Sequence, residues 1–278
     1  NKVMKIIKSN KEKENIFRSI IDFRFFLFQL VKRNITLIYR QTVLGRLWPL
    51  INLFLQSGIF TIIFSGLLDL PTDGVPPFLF YMCAMLVWIF FQSNTLKTSQ
   101  IFTNFAGFFV VAYFPRILIP LALILENIIF LILNFFIFIS IYFFLSVINF
   151  DLKLNYSLLI LTPFIFIYIS ILSFSIGLII SCLSAKYRDL ALVANHGLQL
   201  LFFATPIVYS AKNLDGIFSF LNYLNPVSYP VVLIKGIFFS TDLLPLNVLI
   251  VNVITCVMLF LIATSSFDKV VRKVVDYA

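Results

Sequence analysis

Long apolar stretches without a charged side chain dominate the chain. There are six of them, each of 22 residues or more: 47–68, 74–96, 127–150, 154–185, 190–211 and 243–267. A helix needs about 20 apolar residues to cross the hydrocarbon core of a bilayer, whereas barrel strands alternate over segments of about 10 residues. The pattern therefore predicts an all-α polytopic membrane protein with six transmembrane helices. Residues 47–267 would form the transmembrane domain, with 1–46 and 268–278 outside it.

A further charge-free stretch, 216–234, is interrupted by prolines. Pro226 and Pro230 lie within it, beside Asn222 and Asn225. Proline removes a backbone donor and breaks a helix. We therefore expect 211–245 to be a long outer loop whose short, broken helices re-enter the membrane, where irregular backbone needs shelter from lipid.

Composition and charge fix the class and the orientation. The chain is 61% hydrophobic and 12% charged, against about 45–50% and about 25% in soluble domains, which excludes a soluble enzyme and a disordered chain. Of the 21 Lys and Arg residues, 18 lie in 1–46, in the connections after the second and fourth runs, and in the tail. Only Lys153, Lys212 and Lys235 lie in the other connections. Basic residues stay on the cytoplasmic side, so we expect both termini in the cytosol.

Two segments on that side carry their own pattern. Residues 22–44 form an amphipathic helix with Leu27, Leu30, Val31, Ile35 and Ile38 on one face and Gln29, Lys32, Arg33, Thr36 and Arg40 on the other. Such a helix either docks a cytosolic partner or anionic head groups, or only anchors the chain at the interface. Gly45 then permits a sharp turn, and Pro49 suits the first turn of the next helix. Residues 105–114 are too short to cross and form either a helix at the surface or an ordinary loop.

Polar and aromatic side chains recur along two runs. The first carries Trp48, Asn52, Gln56 and Phe60, and the fifth carries Asn195, Gln199, Phe202 and Pro206, with His196 and Phe203 alongside. Polar groups facing lipid are costly, so both stripes should face a pore or another helix. Aromatic rings and amides together suit a sugar chain, because rings stack on sugar faces and amides bond to hydroxyls.

Other chemistry is sparse. Glu126 is interpreted as a neutral or hydrogen-bonded structural residue rather than part of a proton relay, and His196 as packed rather than catalytic. With one histidine, a histidine-based metal cluster is excluded. The dipeptide Gly-Lys never occurs, so there is no P-loop. We therefore expect no enzyme and no cofactor in this chain; if ATP drives it, another chain binds the ATP and its Mg²⁺.

Five sequence blocks stand in order over about 40–240. They are Tyr39-Arg40-Gln41-Thr42-Val43-Leu44-Gly45-Arg46-Leu47-Trp48, Tyr113-Phe114-Pro115-Arg116-Ile117-Leu118-Ile119-Pro120, Tyr187-Arg188-Asp189, Thr205-Pro206-Ile207-Val208-Tyr209 and Asn225-Pro226. Together they resemble the permease subunit of export-type (type-2) ABC transporters, closest to exporters of O-antigen, capsule or teichoic-acid polysaccharides.

The resemblance implies a bacterial inner-membrane protein that pairs with a second copy of itself and with two copies of a separate ATPase, and that exports a lipid-linked polysaccharide; it implies no nucleic-acid partner. The first and fifth runs would line the channel, and the Leu44-Gly45 turn would stand at its cytosolic entrance. The ATPase would seat on Lys32, Arg33, Arg40, Arg46, Phe105, Gly107, Tyr113 and Arg116. The outer gate would include Tyr209, Pro226, Tyr229 and Pro230.

Two other functions stay open. A drug or small-lipid exporter of the same superfamily would have a narrower pocket. A membrane-embedded glycan ligase or polymerase would need a cluster of acids or arginines in the outer loops, which offer only scattered Asp residues and three Lys.

Overall fold

The computed structural model describes residues 21–39, 43–105, 114–148, 152, 154–187, 189–210 and 217–276. Within those residues the chain is helical and contains no strand. The helices are α1 (Arg24–Tyr39), α2 (Trp48–Phe60), α3 (Pro77–Ser99), α4 (Ile101–Asn104), α5 (Leu118–Val147), α6 (Tyr156–Leu159), α7 (Thr162–Ser184), α8 (Leu190–Phe203), α9 (Ile217–Leu224), α10 (Ser228–Phe239) and α11 (Leu246–Asp276). A 3₁₀ turn, Gly45–Leu47, precedes α2, and a π-helical segment, Thr61–Leu67, continues it.

Five helical segments in the described part of the chain are long and apolar enough to cross a membrane. They are Trp48–Leu67, Pro77–Ser99, Leu118–Val147, Thr162–Ser184 and Leu246–Val271. These segments match the first four apolar runs and the sixth, which confirms the all-α polytopic fold. Three of them begin with a proline in the first turn, where the missing N–H has no intrahelical partner anyway.

The fifth run is less helical than its length indicates. α8 ends at Phe203, because Thr205 precedes Pro206 and a residue before proline disfavours the helical region. Its 14 residues span about 21 Å, against about 30 Å of hydrocarbon. The number of crossings, six, therefore stays a prediction.

The third helix, α3, is the centre of the fold. Buried positions make up 78% of its apolar window, and α2, α5, α7, α8 and α10 all pack against it. α7 packs closely on it at Gly177, where an added Cβ would lie 2.6 Å from the Cβ of Thr98. The absence of a side chain at Gly177 therefore permits close helix packing at this point.

The amphipathic helix forms as predicted, and two short helices lie within the segment predicted to be an outer loop. α1 buries Leu27, Leu30 and Val31 in a cluster with Leu118 and Ala122 of α5, and it leaves Gln29, Lys32, Arg33 and Thr36 exposed. Within 211–245, Asn225 and Pro226 separate α9 from α10. α10 is almost wholly enclosed by protein, and its re-entry into the membrane stays a prediction.

One predicted helix boundary was wrong. Lys97 was expected to open the connection that follows the second run, but α3 continues through it to Ser99. A short helix, α4, follows at once. The predicted surface helix at 105–114 lies mostly outside the described residues.

Candidate functional site

The predicted polar stripe on α2 lies on a surface rather than in the core. Trp48 is 46% exposed, and Asn52 and Gln56 are half-buried one turn apart. Gln56 Nε2 donates to Asn52 Oδ1 at 3.0 Å. This bond aligns the two amides along one face of the helix and leaves further donor and acceptor sites on each for a hydroxylated ligand.

The second stripe, on α8, is also exposed. Asn195, His196 and Gln199 are exposed on this helix, and His196 Nδ1 lies 3.4 Å from Gln199 Oε1. Phe203 is 63% exposed at the end of the same helix. The helix therefore presents amides and aromatic rings together outside the core of this single chain.

The two stripes meet at Phe60 and Phe202. Their rings stack with centroids 5.4 Å apart and 24° between the planes, and Trp88 of α3 meets Phe202 edge-on at 5.3 Å. Phe202 was predicted to line the channel, but it lies buried behind the exposed face. Its side chain turns towards α3 because Phe202 and Leu198, one turn earlier, form the buried side of α8.

The entrance turn has the geometry expected of it. Gly45 has a φ of +49°, in the left-handed region that glycine adopts without a Cβ penalty. Leu47 N donates to Leu44 O at 3.0 Å, which closes the turn. Leu44 itself is 39% exposed, so it is accessible where α1 gives way to α2.

The surface predicted to seat a partner is partly described. Lys32 and Arg33 are exposed on α1, and Phe105 and Arg116 are half-buried at the ends of the 106–113 gap. The rings of Phe26 and Phe114 lie 4.6 Å apart, which joins α1 to the chain just before α5. Arg40, Gly107 and Tyr113 lie outside the described residues, as does the side chain of Arg46.

The residues predicted for the outer gate lie in α10 or beside it. Tyr229 and Pro230 are buried in α10, while Tyr209 and Pro226 are half-buried beside it. Tyr168 Oη of α7 donates to Pro226 O at 3.0 Å.

The sequence profile of the ABC-2 type transporter family matches residues 26–239, from α1 to the end of α10. The chain belongs to the ABC-2 type transporter family. It is a multi-pass membrane protein of a family of ABC transporter permeases, and the match takes in both stripes, the entrance turn and the outer segment.

Curated ABC-2 relatives match this chain over nearly its whole length. An O-antigen export system permease protein RfbA of Klebsiella pneumoniae is 25% identical over 249 residues, covering 88% of this chain and 93% of the relative. A protein of the same name from Myxococcus xanthus is 22% identical over 266 residues, covering 91% and 95%. A second Klebsiella pneumoniae protein of that name is 26% identical over 251 residues.

Sequence reasoning missed two lysines of this ABC-2 chain. Lys97 Nζ donates to Glu126 Oε1 at 2.5 Å and to Asn127 Oδ1 at 2.8 Å, so the intramembrane acid has a basic partner. Lys235, placed by sequence in the outer loop with re-entrant helices, is buried. Its Nζ donates to Pro206 O and Ile207 O. Both contacts span 28 or more residues of sequence, and local patterns carry no signal for them.

Among the described residues, no three His, Cys, Asp or Glu side chains form a group that could hold a metal.

Proposed function

We propose that this chain is the transmembrane subunit of an ATP-driven exporter that moves a lipid-linked polysaccharide across the inner membrane of a bacterium, with both termini in the cytosol. The observation that carries the proposal is the near full-length match to three proteins named as O-antigen export permeases. The amide and aromatic surface of α2 and α8 supports it, because amides and aromatic rings can bind many different sugars and do not select a single one.

The proposed path runs between two copies of the chain. Its walls are the exposed faces of α2 and α8, with Trp48, Asn52, Gln56, Phe60, Asn195, Gln199 and Phe203 towards the cargo. Phe202 supports this wall from behind, through its stacking on Phe60. The Leu44-Gly45 turn forms the cytosolic entrance, and Tyr209, Pro226, Tyr229 and Pro230 form the outer gate.

A separate ATPase supplies the energy in this proposal and holds the nucleotide and its Mg²⁺. Its seat is the exposed face of α1, with Lys32 and Arg33, continued by Arg40, Arg46 and the 105–116 connection. α1 packs directly on the first turns of α5, so a force on α1 reaches a spanning helix through buried contacts. An exposed cationic face offers charge complementarity to an acidic partner surface.

Deletion of the gene in its own host tests the proposal. We expect surface polysaccharide to disappear and lipid-linked glycan to accumulate on the cytosolic side, with both restored by the wild-type gene. The matched control is a strain whose permease is intact but whose ATPase carries an inactivated nucleotide site, which should give the same phenotype. Normal surface polysaccharide in the deletion strain would contradict the proposal, and new drug sensitivity there would indicate a small-molecule exporter.

A further inference from the structure

Lys235 is a cation buried in the middle of α10. It is 4% exposed, although lysine is almost never fully buried without a partner. Its Nζ donates to Pro206 O at 2.8 Å and to Ile207 O at 3.1 Å. The same atom lies 3.6 Å from the centroid of the Phe80 ring in α3.

These contacts occupy the whole ammonium group. An ammonium carries three N–H donors, and here two carbonyls and one aromatic face receive them. Asp73 and Asp242 line the same small cavity as Lys235, yet the hydrogen bonds of Nζ run to the backbone of the 205–207 turn. The hydrogen bonds of the side chain therefore fix the position of that turn.

The turn that Lys235 holds connects α8 to the outer segment. Asn225 is the first residue after α9, in the linker that joins α9 to α10. Its Nδ2 donates to Thr205 Oγ1 at 2.8 Å. The 205–207 turn is thus fastened to the α9–α10 segment at two points, and to α3 through Phe80. Any displacement of α8 must carry α10 with it or break these contacts.

We propose that Lys235 is a positioning residue of the outer gate, a latch that keeps α10 closed against the end of α8 in the resting transporter. The inference rests on the proposed function, which supplies the gate. Neutral carbonyls hold a cation less tightly than carboxylates do, so this contact fastens the closed state yet can be released and remade in each cycle.

The experiment measures leakage through the resting transporter and needs no knowledge of the cargo. The permease–ATPase complex is reconstituted in vesicles without nucleotide, and efflux of a trapped small hydrophilic dye is followed. The variants are Lys235→Met, which keeps the aliphatic stem, and Lys235→Gln, a shorter neutral donor. The matched control is Leu233→Met, which changes half-buried packing on the same helix.

We expect efflux per assembled complex to rise about tenfold for Lys235→Met. Loss of a hydrogen bond to a charged group changes the ratio of closed to open transporters by about this factor. Lys235→Gln should show less dye efflux than Lys235→Met but more than wild type, and Leu233→Met should show the wild-type efflux. A merely structural role would lower yield and thermal stability without raising efflux per complex. Efflux at the wild-type rate for both Lys235 variants would contradict the proposal that Lys235 keeps the gate closed. If Lys235→Met fails to assemble, Lys235→Gln decides by the same comparison.

Export of glycan by the wild-type complex is measured in parallel. Its absence would contradict the proposed function, while the efflux comparison would still decide the latch.

Discussion

Lys97 and Glu126 join the end of α3 to the beginning of α5. The Lys97 Nζ atom lies 2.5 Å from Glu126 Oε1, and the side chains are 31% and 0% exposed. Asn127 extends the cluster, since it accepts from Lys97 and donates from Nδ2 to Asn94 Oδ1 at 2.6 Å. The chain between these helices includes half of the proposed ATPase seat, so this cluster holds the two ends of that connection together.

The two partners of this pair should respond unequally to substitution. Lys97→Met leaves the buried Glu126 carboxylate without its ion-pair partner. It should lower the apparent free energy of unfolding by about 3–5 kcal/mol, as loss of one partner of a buried pair does. Glu126→Gln leaves a lysine whose partly exposed end can reach water, and should cost about 1–2 kcal/mol. Thermal unfolding in detergent measures both. Lys32→Met, at an exposed site, is the control, and equal losses for the two variants would contradict the asymmetry.

Close packing of α3 on α7 at Gly177 gives a steric prediction. An added Cβ would lie 2.6 Å from Thr98 Cβ and 3.0 Å from Thr95 O. Gly177→Ala should therefore destabilise the protein by about 1–3 kcal/mol, as overpacking does. Gly197→Ala is the matched control, because no atom lies within 4 Å of its added Cβ. That variant should be neutral or slightly more stable, since alanine favours a helix. Equal unfolding temperatures for the two variants would refute the prediction.

The proposed wall can be tested with a fixed charge at Gln199. Gln199→Arg should lower export roughly tenfold or more, because it removes an amide that can hydrogen-bond to sugar hydroxyls and places a bulky fixed charge on the proposed wall. Assembly with the ATPase should be retained, because the side chain is exposed in this structure. The same substitution at Asn247, exposed at the start of α11, serves as control. Export at the wild-type rate in Gln199→Arg would remove this face from the path.

The docking face of α1 gives a prediction about the ATPase. Lys32→Glu should weaken capture of the ATPase by the solubilised permease about tenfold, because reversing a charge at an interface juxtaposes like charges. The loss should shrink at high salt, as screening requires. Lys269→Glu makes the same change at an exposed site of α11 outside the proposed seat and should leave capture intact. Equal capture by both variants would place the ATPase elsewhere.

Much of the fold follows from the length of charge-free runs. Among the described residues, five runs are helices long and apolar enough to span a membrane, and the break at Asn225-Pro226 lies where proline chemistry predicts it. The sequence did not indicate that α3 is the central helix. A membrane helix that is apolar on every side carries no periodic signal of which face, or which helix, is enclosed.

The errors at the site have a common physical cause. Lys97 and Lys235 entered the sequence analysis only as charges in connections that set the orientation, so no partner was predicted for either. In the structure, Lys97 meets a carboxylate on another helix and Lys235 meets two carbonyls. Phe202 was placed on the wall from its spacing with Gln199, but only the packing of Phe60 and Trp88 shows which way its ring turns.

Reconstitution tests the central claim most directly. The purified permease is placed in vesicles with and without its ATPase partner, and lipid-linked polysaccharide reaching the opposite leaflet is measured. The account predicts transport only when permease, ATPase and ATP are all present, and no ATP hydrolysis by the permease alone. Transport without the ATPase, or hydrolysis by the permease alone, would contradict it.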